Sequence, residues 1–446
     1  MHMRFPDVRP LILGWALIAG GFGRAESVKD REGAVRGDRA AMENDARWIY
    51  NDWRKGFEEA ARTGKPLLVV LRCVPCLACA GIDARVLDRE GDLTPLLDRF
   101  VCVRLINAND LALARFQFDY DLSFSTLFFN ADGTVYGRYG SWRHQKDPLD
   151  RSTAGYRRTM ERVLELHRGY PANKESLAGK QGGPTPYRSP VQIPGLQGRY
   201  TPALDWTNKV VASCVHCHQI GDAFRELHRK RQETLTAELI YPWPAPETLG
   251  LAFAPDEPGL VEKVEPGSAA DRSGFVAGDR VETFAGQAVV SVADVSWVLH
   301  RAPAAGEIPV TVRRDAASRS LRLALPSGWR EGTDISRRVG TWGLRAMALG
   351  GLQLEEITAA ERSTRGIAAE GLALRVKHAG EYGEHAAAKK AGFRKGDILL
   401  AVDGRSGRLT ESALIGALLQ TRHPGESVPA TVLREGTRID LRLPIQ

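Results

Sequence analysis

Three cysteines lie within seven residues, at Cys73, Cys76 and Cys79, directly after the apolar run 66–71. A thiol at the amino end of a helix has a lowered pKa, because the helix dipole and the unpaired N–H groups stabilise the thiolate. We expect a helix to begin at this turn. Cys73 would then be the attacking thiol, and Cys76, one turn later, would resolve the mixed disulfide. Cys79 follows three residues on and can reach Cys76.

The same three thiols allow two other interpretations. They could hold a soft metal ion such as copper or zinc, because thiolate ligands favour such ions. Alternatively, two of them could form a permanent structural disulfide and leave the third buried and free. Cys102 lies in an alternating apolar strand and is expected to be buried as an apolar residue.

A second cysteine motif, Cys214-Val-His-Cys217-His218, follows about 140 residues later. Covalent haem c needs two thiols at this spacing for its vinyl groups and an adjacent imidazole for its iron. We therefore expect Cys214 and Cys217 to hold haem c and His218 to bind the iron. His167 is the candidate for the sixth iron ligand, with an open sixth position as the alternative. A chance match, a disulfide or a zinc site stays open as an alternative.

Length and composition describe a soluble protein of several domains. The chain has 446 residues, which suggests about three domains. Its hydrophobic content of 43% and charged content of 26% are those of globular proteins. The net charge of +7 is a mild excess over so long a chain. No dense basic run is interleaved with aromatic residues, so nucleic-acid binding is not expected.

The amino terminus has the pattern of an export signal over residues 1–25. Arg4 and Arg9 precede the apolar stretch 11–19, and small residues follow up to Ala25. The apolar core is shorter than the roughly 20 residues that a membrane-spanning helix needs. We therefore expect a periplasmic or secreted protein without a transmembrane segment after signal removal. Residues 26–43 are expected to form a flexible lead-in.

Residues 44–168 resemble a thioredoxin domain. The predicted order of elements is β-α-β-α-β-β-α, with the cysteines at the first strand-to-helix junction, and Pro75 matches the proline of thioredoxin's C-G-P-C. The resemblance implies a redox-active cysteine pair. Two positions depart from the family. Arg72 replaces the tryptophan before the first cysteine, and Ser125 or Thr126 replaces the cis-proline that faces the pair.

The rest of the chain divides into a linker and a repeat. Residues 169–244 are rich in Gly, Pro and Lys around the CxxCH motif and are expected to form a mostly irregular and helical segment. Ser-Gly-Phe-Val-Ala-Gly-Asp at 273–279 then matches Ala-Gly-Phe-Arg-Lys-Gly-Asp at 391–397. The repeat resembles PDZ domains of the bacterial HtrA type and predicts two β-rich α+β domains, at 245–328 and 340–446.

The PDZ resemblance implies binding of protein or peptide C-termini by strand addition, with a glycine loop that holds the carboxylate. In the first copy the candidate residues are Leu249, Gly250, Leu251 and Ala252. In the second copy they are Gly343 and Leu344. HtrA proteases carry a trypsin-like domain before the PDZ domain, but this chain has neither a G-N-S-G-G segment nor room for that barrel. Protease activity is therefore not expected.

Together these features predict an exported multi-domain protein that carries out thiol–disulfide exchange or electron transfer. The cysteine pair and a haem c would do the chemistry with a redox partner protein, and tandem PDZ domains would dock the partner. The alternative is a non-enzymatic periplasmic scaffold in which PDZ binding is the function. In that case the cysteines would be structural or would hold copper or zinc.

Overall fold

The computed structural model describes residues 28–141 and 152–446. The predicted export signal at 1–25 lies outside the described residues. Within the described ranges, no helix is both long enough and apolar enough to cross a membrane.

The apolar run before the cysteines forms the central strand of a five-stranded sheet in the N-terminal domain. Its strands are β1 (Trp48–Tyr50), β2 (Leu67–Arg72), β3 (Val101–Leu105), β4 (Phe124–Phe129) and β5 (Val135–Tyr139). The spatial order is β1-β3-β2-β4-β5, and β2 runs parallel to β3 but antiparallel to β4. Every residue of β2 is buried because both faces of the sheet are covered, which is why its sequence is apolar from Leu67 to Leu71.

Helices cover this sheet on two sides. They are α1 (Arg31–Glu43), α2 (Trp53–Thr63), α3 (Ala80–Val86), α4 (Thr94–Leu97) and α5 (Ala154–Arg168). The expected flexible lead-in at 26–43 is wrong for most of its length, because α1 begins at Arg31. Asp30 caps α1 by accepting a hydrogen bond from Gly33 N at 2.8 Å. Asp38 then ties α1 to the sheet through a buried ion pair with Arg104.

The segment between the N-terminal domain and the repeat contains four short or medium helices. They are α6 (Lys174–Leu177), α7 (Val210–Ser213), α8 (His218–Lys230) and α9 (Ala237–Ile240). This segment completes the core on one face of the N-terminal sheet. Val215, Ile220 and Ala223 pack there with Leu67 and other residues of that face. Packing on this face of the sheet therefore places the CxxCH region against the domain that contains Cys73, Cys76 and Cys79.

The first C-terminal domain follows with two sheets. Its strands are β6 (Leu251–Phe253), β7 (Val261–Val264), β8 (Arg280–Phe284), β9 (Gln287–Ala288), β10 (Gly306–Arg314) and β11 (Ala317–Leu325), and its helices are α10 (Ala269–Arg272) and α11 (Val292–Arg301). One sheet has the order β11-β10-β8-β9, and the other pairs β6 with β7. A buried core centred on Trp297 joins the two sheets to α11.

The second C-terminal domain has one five-stranded sheet of order β12-β13-β14-β15-β16. The strands are β12 (Leu352–Glu356), β13 (Leu374–Ala379), β14 (Ile398–Val402), β15 (Ser427–Arg434) and β16 (Thr437–Pro444), and the helices are α12 (Thr341–Leu349), α13 (Ala359–Thr364), α14 (Ala387–Lys390) and α15 (Glu411–Leu419). Most of these strands pack their apolar residues against α12 and α15.

The sequence repeat has a structural cause that is the same in both C-terminal domains. Asp279 and Asp397, the last residues of the two repeat motifs, are buried and accept hydrogen bonds from Arg314 and Arg434. Each arginine also donates to the carbonyl of the motif's first glycine, at 2.8 Å in both copies. In the first domain the repeated Gly and Asp thus attach the turn before β8 to the end of β10. In the second domain they attach the turn before β14 to the end of β15.

Buried ion pairs hold the domains against each other. Lys180 Nζ donates to Asp294 Oδ2 at 2.5 Å, and Asp294 Oδ1 also accepts from Arg138 N at 3.2 Å. These contacts join the N-terminal domain and the linker to α11. Arg338, just before α12, binds Asp119 and Asp121 of the N-terminal domain at 2.7 and 3.1 Å. The carboxylates and cations are nearly fully buried, so each depends on its partner.

Candidate functional site

The cysteine turn, residues 73–79, is organised around the buried guanidinium of Arg72 at the end of β2. Arg72 donates to the carbonyl oxygens of Cys76 at 2.6 Å, Ala78 at 3.1 Å and Ser123 at 3.2 Å. Its Nε donates to Asp83 Oδ2 at 3.0 Å. The residue that replaces the family's tryptophan therefore acts as the internal support of the turn.

The expected helix at the cysteine turn is wrong, because α3 begins only at Ala80. Cys79 occupies the position before the first helical residue and has a left-handed backbone with φ of 61°. The carbonyls of Cys76 and Ala78 bind Arg72, so the guanidinium replaces the N–H donors that a helix would supply there. Cys73 consequently does not lie at a helix terminus, and the dipole argument does not apply to it.

The two partly exposed thiols of the turn share one hydrogen bond, and this bond decides which is acidic. The Cys73 thiol donates to Cys76 and lowers the pKa of Cys76 to about 6, although burial opposes the shift. The positive charges of Arg72 and His218 lower it further. The same hydrogen bond, together with burial, raises the pKa of Cys73 well above its usual value. The shared hydrogen bond thus favours the thiolate on Cys76 over Cys73, whereas the sequence predicted Cys73 as the attacking thiol.

The remaining two thiols of this domain, Cys79 and Cys102, are less acidic than an ordinary thiol. Burial raises the pKa of Cys79 to about 11, although a hydrogen bond with Ser123 opposes that shift. Cys102 is buried as expected, and burial raises its pKa to about 12. All six cysteines are free thiols. Among the described residues, no three His, Cys, Asp or Glu side chains form a group that could hold a metal ion. The geometry gives no support to a cage of Cys73, Cys76 and Cys79.

The residue that faces the cysteine turn is Ser123, not Ser125 or Thr126. Ser125 and Thr126 lie inside β4, where they pair with Leu71 and Val70. Ser123 directly precedes β4, and its carbonyl accepts a hydrogen bond from Cys73 N at 2.9 Å. The backbone group that a substrate strand would use next to the pair is therefore already bonded within the chain.

The CxxCH motif, residues 214–218, lies beside the cysteine turn. His216 Nδ1 is 3.7 Å from Cys73 Sγ. The groups of the two motifs lie close enough for their charges to interact. This holds for Cys217 with Cys73, for Cys76 with Cys217, and for His218 with Cys76. This proximity is not visible in the sequence, because nothing in the spacing of the two motifs predicts that they meet.

Backbone hydrogen bonds fix the motif to the N-terminal domain. Ala108 N donates to Val215 O at 2.9 Å, and Val215 N donates to Asn109 Oδ1 at 2.7 Å. Asn109 Nδ2 also donates to Ser213 O at 2.8 Å. Asn109 is fully buried and was missed in the sequence, where it is one of several polar residues after β3. This asparagine positions the motif against the cysteine turn.

The pKa values of the two histidines of the motif shift in opposite directions. Burial, together with the charge of His218, lowers the pKa of His216 to about 4, so its ring is neutral at neutral pH. For His218 burial opposes protonation, but the hydrogen bond and charge of Asp222 outweigh it and raise the pKa. The His218 Nδ1–Asp222 Oδ2 distance is 3.1 Å. Asp222 thus favours the charged form of His218, and that charge favours the thiolate of Cys76.

The residues of the motif do not fit a haem c in this arrangement. Cys214 is only 4% exposed and its thiol donates to Val210 O at 3.2 Å. Cys217 packs against the apolar core of the N-terminal domain. The ring of His216 stacks on His218, with centroids 6.0 Å apart. A porphyrin bonded to both thiols needs an open surface over Cys214 as well as Cys217, and the Cys214 thiol is buried and bonded to Val210 O.

His167 is wrong as the sixth haem ligand. It lies in α5, where one ring nitrogen is 2.8 Å from Tyr136 Oη and the other is 3.0 Å from Gly64 O. Tyr136 belongs to the core on one face of the N-terminal sheet, whereas Val215 and Cys217 pack on the other face. The sheet therefore separates His167 from the CxxCH motif.

The first candidate peptide loop has the expected position at the entrance to a strand. A 3-10 turn ends at Leu249, Gly250 has φ of 84°, and β6 begins at Leu251 and includes Ala252. A Cβ atom at Gly250 would lie 2.2 Å from the Ser268 side chain, so the loop requires glycine. The loop is thus held close to the start of α10.

The second candidate loop is wrong, because Gly343 and Leu344 lie inside helix α12. The counterpart of the first loop is instead Gly350 and Gly351, which have φ of 54° and 89° and lead into β12. The sequence carried a signal for it, since the glycine pair is followed by the strand-like alternation of Leu352 and Leu354.

The groove beside β12 is filled by the chain itself. Helix α12 packs against α15, and Arg345 of α12 forms a buried two-pronged ion pair with Glu411 of α15, at 2.6 and 2.9 Å. Glu411 Oε1 also accepts a hydrogen bond from Leu354 N at 2.7 Å. In the first C-terminal domain the corresponding helix begins with Val292, which has no carboxylate to bind the edge of β6.

Comparison with known proteins supports two of the predicted domains, the thioredoxin-like domain and the first PDZ domain. Residues 48–131 match the family described as thioredoxin-like, and residues 248–325 match the PDZ domain family. No curated protein matches the chain.

Solved structures of an HtrA-type protease resemble parts of the chain. AlgWS227A with a decapeptide is 16% identical over 31% of this chain and 40% of its own, with a TM-score of 0.20. AlgW with a tripeptide is 24% identical over 21% and 30%, with a TM-score of 0.17. AlgW with a decapeptide is 19% identical over 31% and 41%, with a TM-score of 0.20. This chain thus spans less than half the length of these proteases. From the two family matches, the chain contains a thioredoxin-like domain, which carries the cysteine turn, and a PDZ domain.

Proposed function

We propose that this chain is an exported thiol–disulfide exchange protein in which Cys76 is the nucleophile and Cys73 is its resolving partner. One observation carries the proposal: the Cys73 thiol hydrogen-bonds to Cys76 and holds the pKa of Cys76 at about 6. Cys76 is then largely thiolate at neutral pH, and the thiolate is the form that attacks disulfides. Export rests on the signal pattern at residues 1–25.

The two thiols of the turn, Cys73 and Cys76, supply both electrons that the reduction of a partner disulfide needs. The Cys76 thiolate attacks one sulfur of a partner disulfide, and the other partner sulfur leaves as a thiolate. Cys73 loses its proton to water and attacks the Cys76 sulfur, which releases the first partner sulfur. The partner gains two electrons and takes up protons on both sulfurs, while the chain ends with a Cys73–Cys76 disulfide. No step requires haem, consistent with the poor fit of the CxxCH motif to that group.

The PDZ domain supplies the docking function in this proposal. A partner chain end would add to the edge of β6, with its carboxylate near the loop at Gly250. The second C-terminal domain has a related order of elements and is proposed to be a second PDZ-like domain. Its groove is closed by Arg345 and Glu411, so it would hold the chain together and would not take a peptide.

Alkylation of the fully reduced full-length protein tests the redox proposal. Iodoacetamide labelling, mapped by mass spectrometry over a pH series, should show Cys76 reacting with a midpoint near pH 6. Limiting glutathione disulfide should then produce a Cys73–Cys76 disulfide. If Cys76 reacts no faster at pH 7 than free glutathione, and the disulfide does not form, the oxidoreductase proposal fails.

A non-enzymatic PDZ scaffold is the second candidate. The observation in its favour is the coverage of the cysteine turn by His216, together with the bonded carbonyl of Ser123. Both features restrict the approach of a protein substrate. The same experiment separates the two candidates, because a scaffold predicts inert cysteines with retained binding of a fluorescent peptide that ends in a free carboxylate. An amidated peptide of the same sequence is the control.

A further inference from the structure

Two dithiol motifs that are far apart in the chain lie together in the structure. Cys73 Sγ is 3.7 Å from His216 Nδ1, and His216 directly precedes Cys217 in the CxxCH motif. Cys217 lies close enough to Cys73 and to Cys76 for charges on these thiols to interact. The motif is not loosely attached, because the buried Asn109 binds the backbone on both sides of Cys214.

From this geometry we infer that Cys214 and Cys217 form a second redox pair, which exchanges a disulfide with Cys73 and Cys76 inside the chain. The inference rests on the proposed function and adds its internal electron source. Cys214 and Cys217 have the C-x-x-C spacing that permits a local disulfide. The CxxCH motif would thereby serve the cysteine turn instead of a porphyrin.

The exchange begins from the state that a turnover leaves behind, a Cys73–Cys76 disulfide beside a reduced Cys214/Cys217 pair. Cys217 loses its proton and attacks the Cys73 sulfur, so the Cys73–Cys76 bond breaks and Cys76 leaves as a thiolate. Cys214 then loses its proton and attacks the Cys217 sulfur, and Cys73 leaves and takes up a proton. Two electrons pass from the second pair to the first, and all four sulfurs are accounted for.

The chemistry of the leaving group favours this direction. A thiol of low pKa leaves faster from a disulfide, and it also stabilises the reduced form of its pair. Cys76 has a pKa of about 6, whereas burial raises the pKa of Cys214 to about 11 and of Cys217 to about 12. Electrons should therefore collect on the cysteine turn, and the disulfide should collect on the second pair.

Position decides which thiol of the second pair meets the turn. Cys217 lies at the start of α8, next to the histidine that contacts Cys73. Cys214 ends α7, and its thiol is directed to the carbonyl of Val210 in the preceding turn. The transient bond should accordingly join Cys73 to Cys217 and not to Cys214.

A trapping experiment tests this in the full-length chain. The double variant Cys76→Ser/Cys214→Ser removes both thiols that could resolve the intermediate. After mild oxidation with diamide, we expect an intramolecular Cys73–Cys217 disulfide whose yield does not depend on protein concentration. The matched control, Cys76→Ser/Cys217→Ser, leaves Cys73 with Cys214 and should give about ten-fold less cross-link, because orientation sets the rate. Equal yields in the two variants, or no Cys73–Cys217 bond, would overturn the inference.

Wild-type protein provides a readout that does not depend on the folding of the variants. Reduced protein is mixed with limiting glutathione disulfide, quenched with N-ethylmaleimide at intervals, and mapped for disulfides. We expect the Cys73–Cys76 bond first and the Cys214–Cys217 bond later, at the expense of the first. If the Cys73–Cys76 bond forms and stays, the internal exchange is wrong and the proposed function stands. If no Cys73–Cys76 bond forms, the proposed function itself fails and the inference falls with it.

Discussion

Glu411 accepts the Leu354 N–H at 2.7 Å, and this hydrogen bond occupies the edge of β12. The carboxylate is held by Arg345, and both side chains are almost fully buried. The second C-terminal domain thereby uses its groove to bind α12 of its own chain. In the same domain Leu419 O accepts a hydrogen bond from Leu235 N of the linker at 2.8 Å, so the linker that carries α8 is also attached there.

Glu411→Ala should destabilise the second C-terminal domain by about 3–5 kcal/mol, because it leaves the buried Arg345 without its partner. Thermal unfolding monitored by calorimetry measures the effect. Glu370→Ala, at an exposed position, is the matched control and should change stability by less than about 0.5 kcal/mol. Equal effects of the two substitutions would show that the Arg345–Glu411 pair does not hold the domain.

Cys73→Ala should raise the pKa of Cys76, because the largest cause of its low value is the hydrogen bond from Cys73. The thiolate fraction of Cys76 grows as pH rises through its pKa, so the alkylation profile should move to higher pH in the variant. Mapped iodoacetamide labelling measures the midpoint in both proteins. Cys102→Ala, which removes a distant buried thiol, is the control. An unchanged midpoint in Cys73→Ala would contradict the assigned hydrogen bond.

Asp294→Ala should loosen the junction between the N-terminal domain and the PDZ domain. Lys180 is fully buried and its ammonium depends on Asp294, so the loss is expected to cost about 3–5 kcal/mol. Limited proteolysis should cut the linker faster in this variant than in wild type. The control is Glu307→Ala in an exposed ion pair, which should leave the rate near that of wild type. Unchanged cleavage in Asp294→Ala would show that the domains do not depend on this contact.

Acid should destabilise the PDZ domain through His300. Burial lowers the pKa of His300 from 6.5 to about 3, and the neutral ring stacks on Trp243. Between pH 6.5 and about pH 3, His300 is protonated in the unfolded chain but neutral in the folded chain. The stabilising contribution is thus complete above pH 6.5 and is lost as pH falls toward 3. Equilibrium denaturation at several pH values should show this slope, and His300→Gln should reduce it. The same slope in both proteins would exclude His300 as the cause.

Expression with a haem c assembly system should yield protein without covalent haem. The reason is steric, since the Cys214 thiol is buried and already bonded to Val210 O. A haem-stained denaturing gel and a visible spectrum provide the measurement, and a c-type cytochrome expressed in the same cells is the control. A haem-stained band at the mass of this chain would contradict the fit described above and restore the electron-transfer interpretation.

The sequence alone located the cysteine motifs and most of the architecture. The unbroken apolar run before Cys73 predicted a buried strand, because a strand covered on both faces has no polar side. The matched Gly-Phe and Gly-Asp positions predicted a repeat, since each motif builds one turn that Arg314 or Arg434 closes. These signals are local, and local patterns of apolar and turn residues can be interpreted from the sequence without knowing the fold.

Only the tertiary structure decided what the local patterns do. Arg72 stood out as a departure from a family pattern, but its support of the cysteine turn depends on carbonyls from Ala78 and Ser123 on two elements. The low pKa of Cys76 comes first from the hydrogen bond with Cys73, and the charge of His218, which is far away in the chain, adds to it. The contact between Cys73 and His216, and the closure of a groove by Glu411, join residues that no spacing rule connects. Contacts between distant segments arise from packing, and sequence periodicity contains no information about which segments pack together.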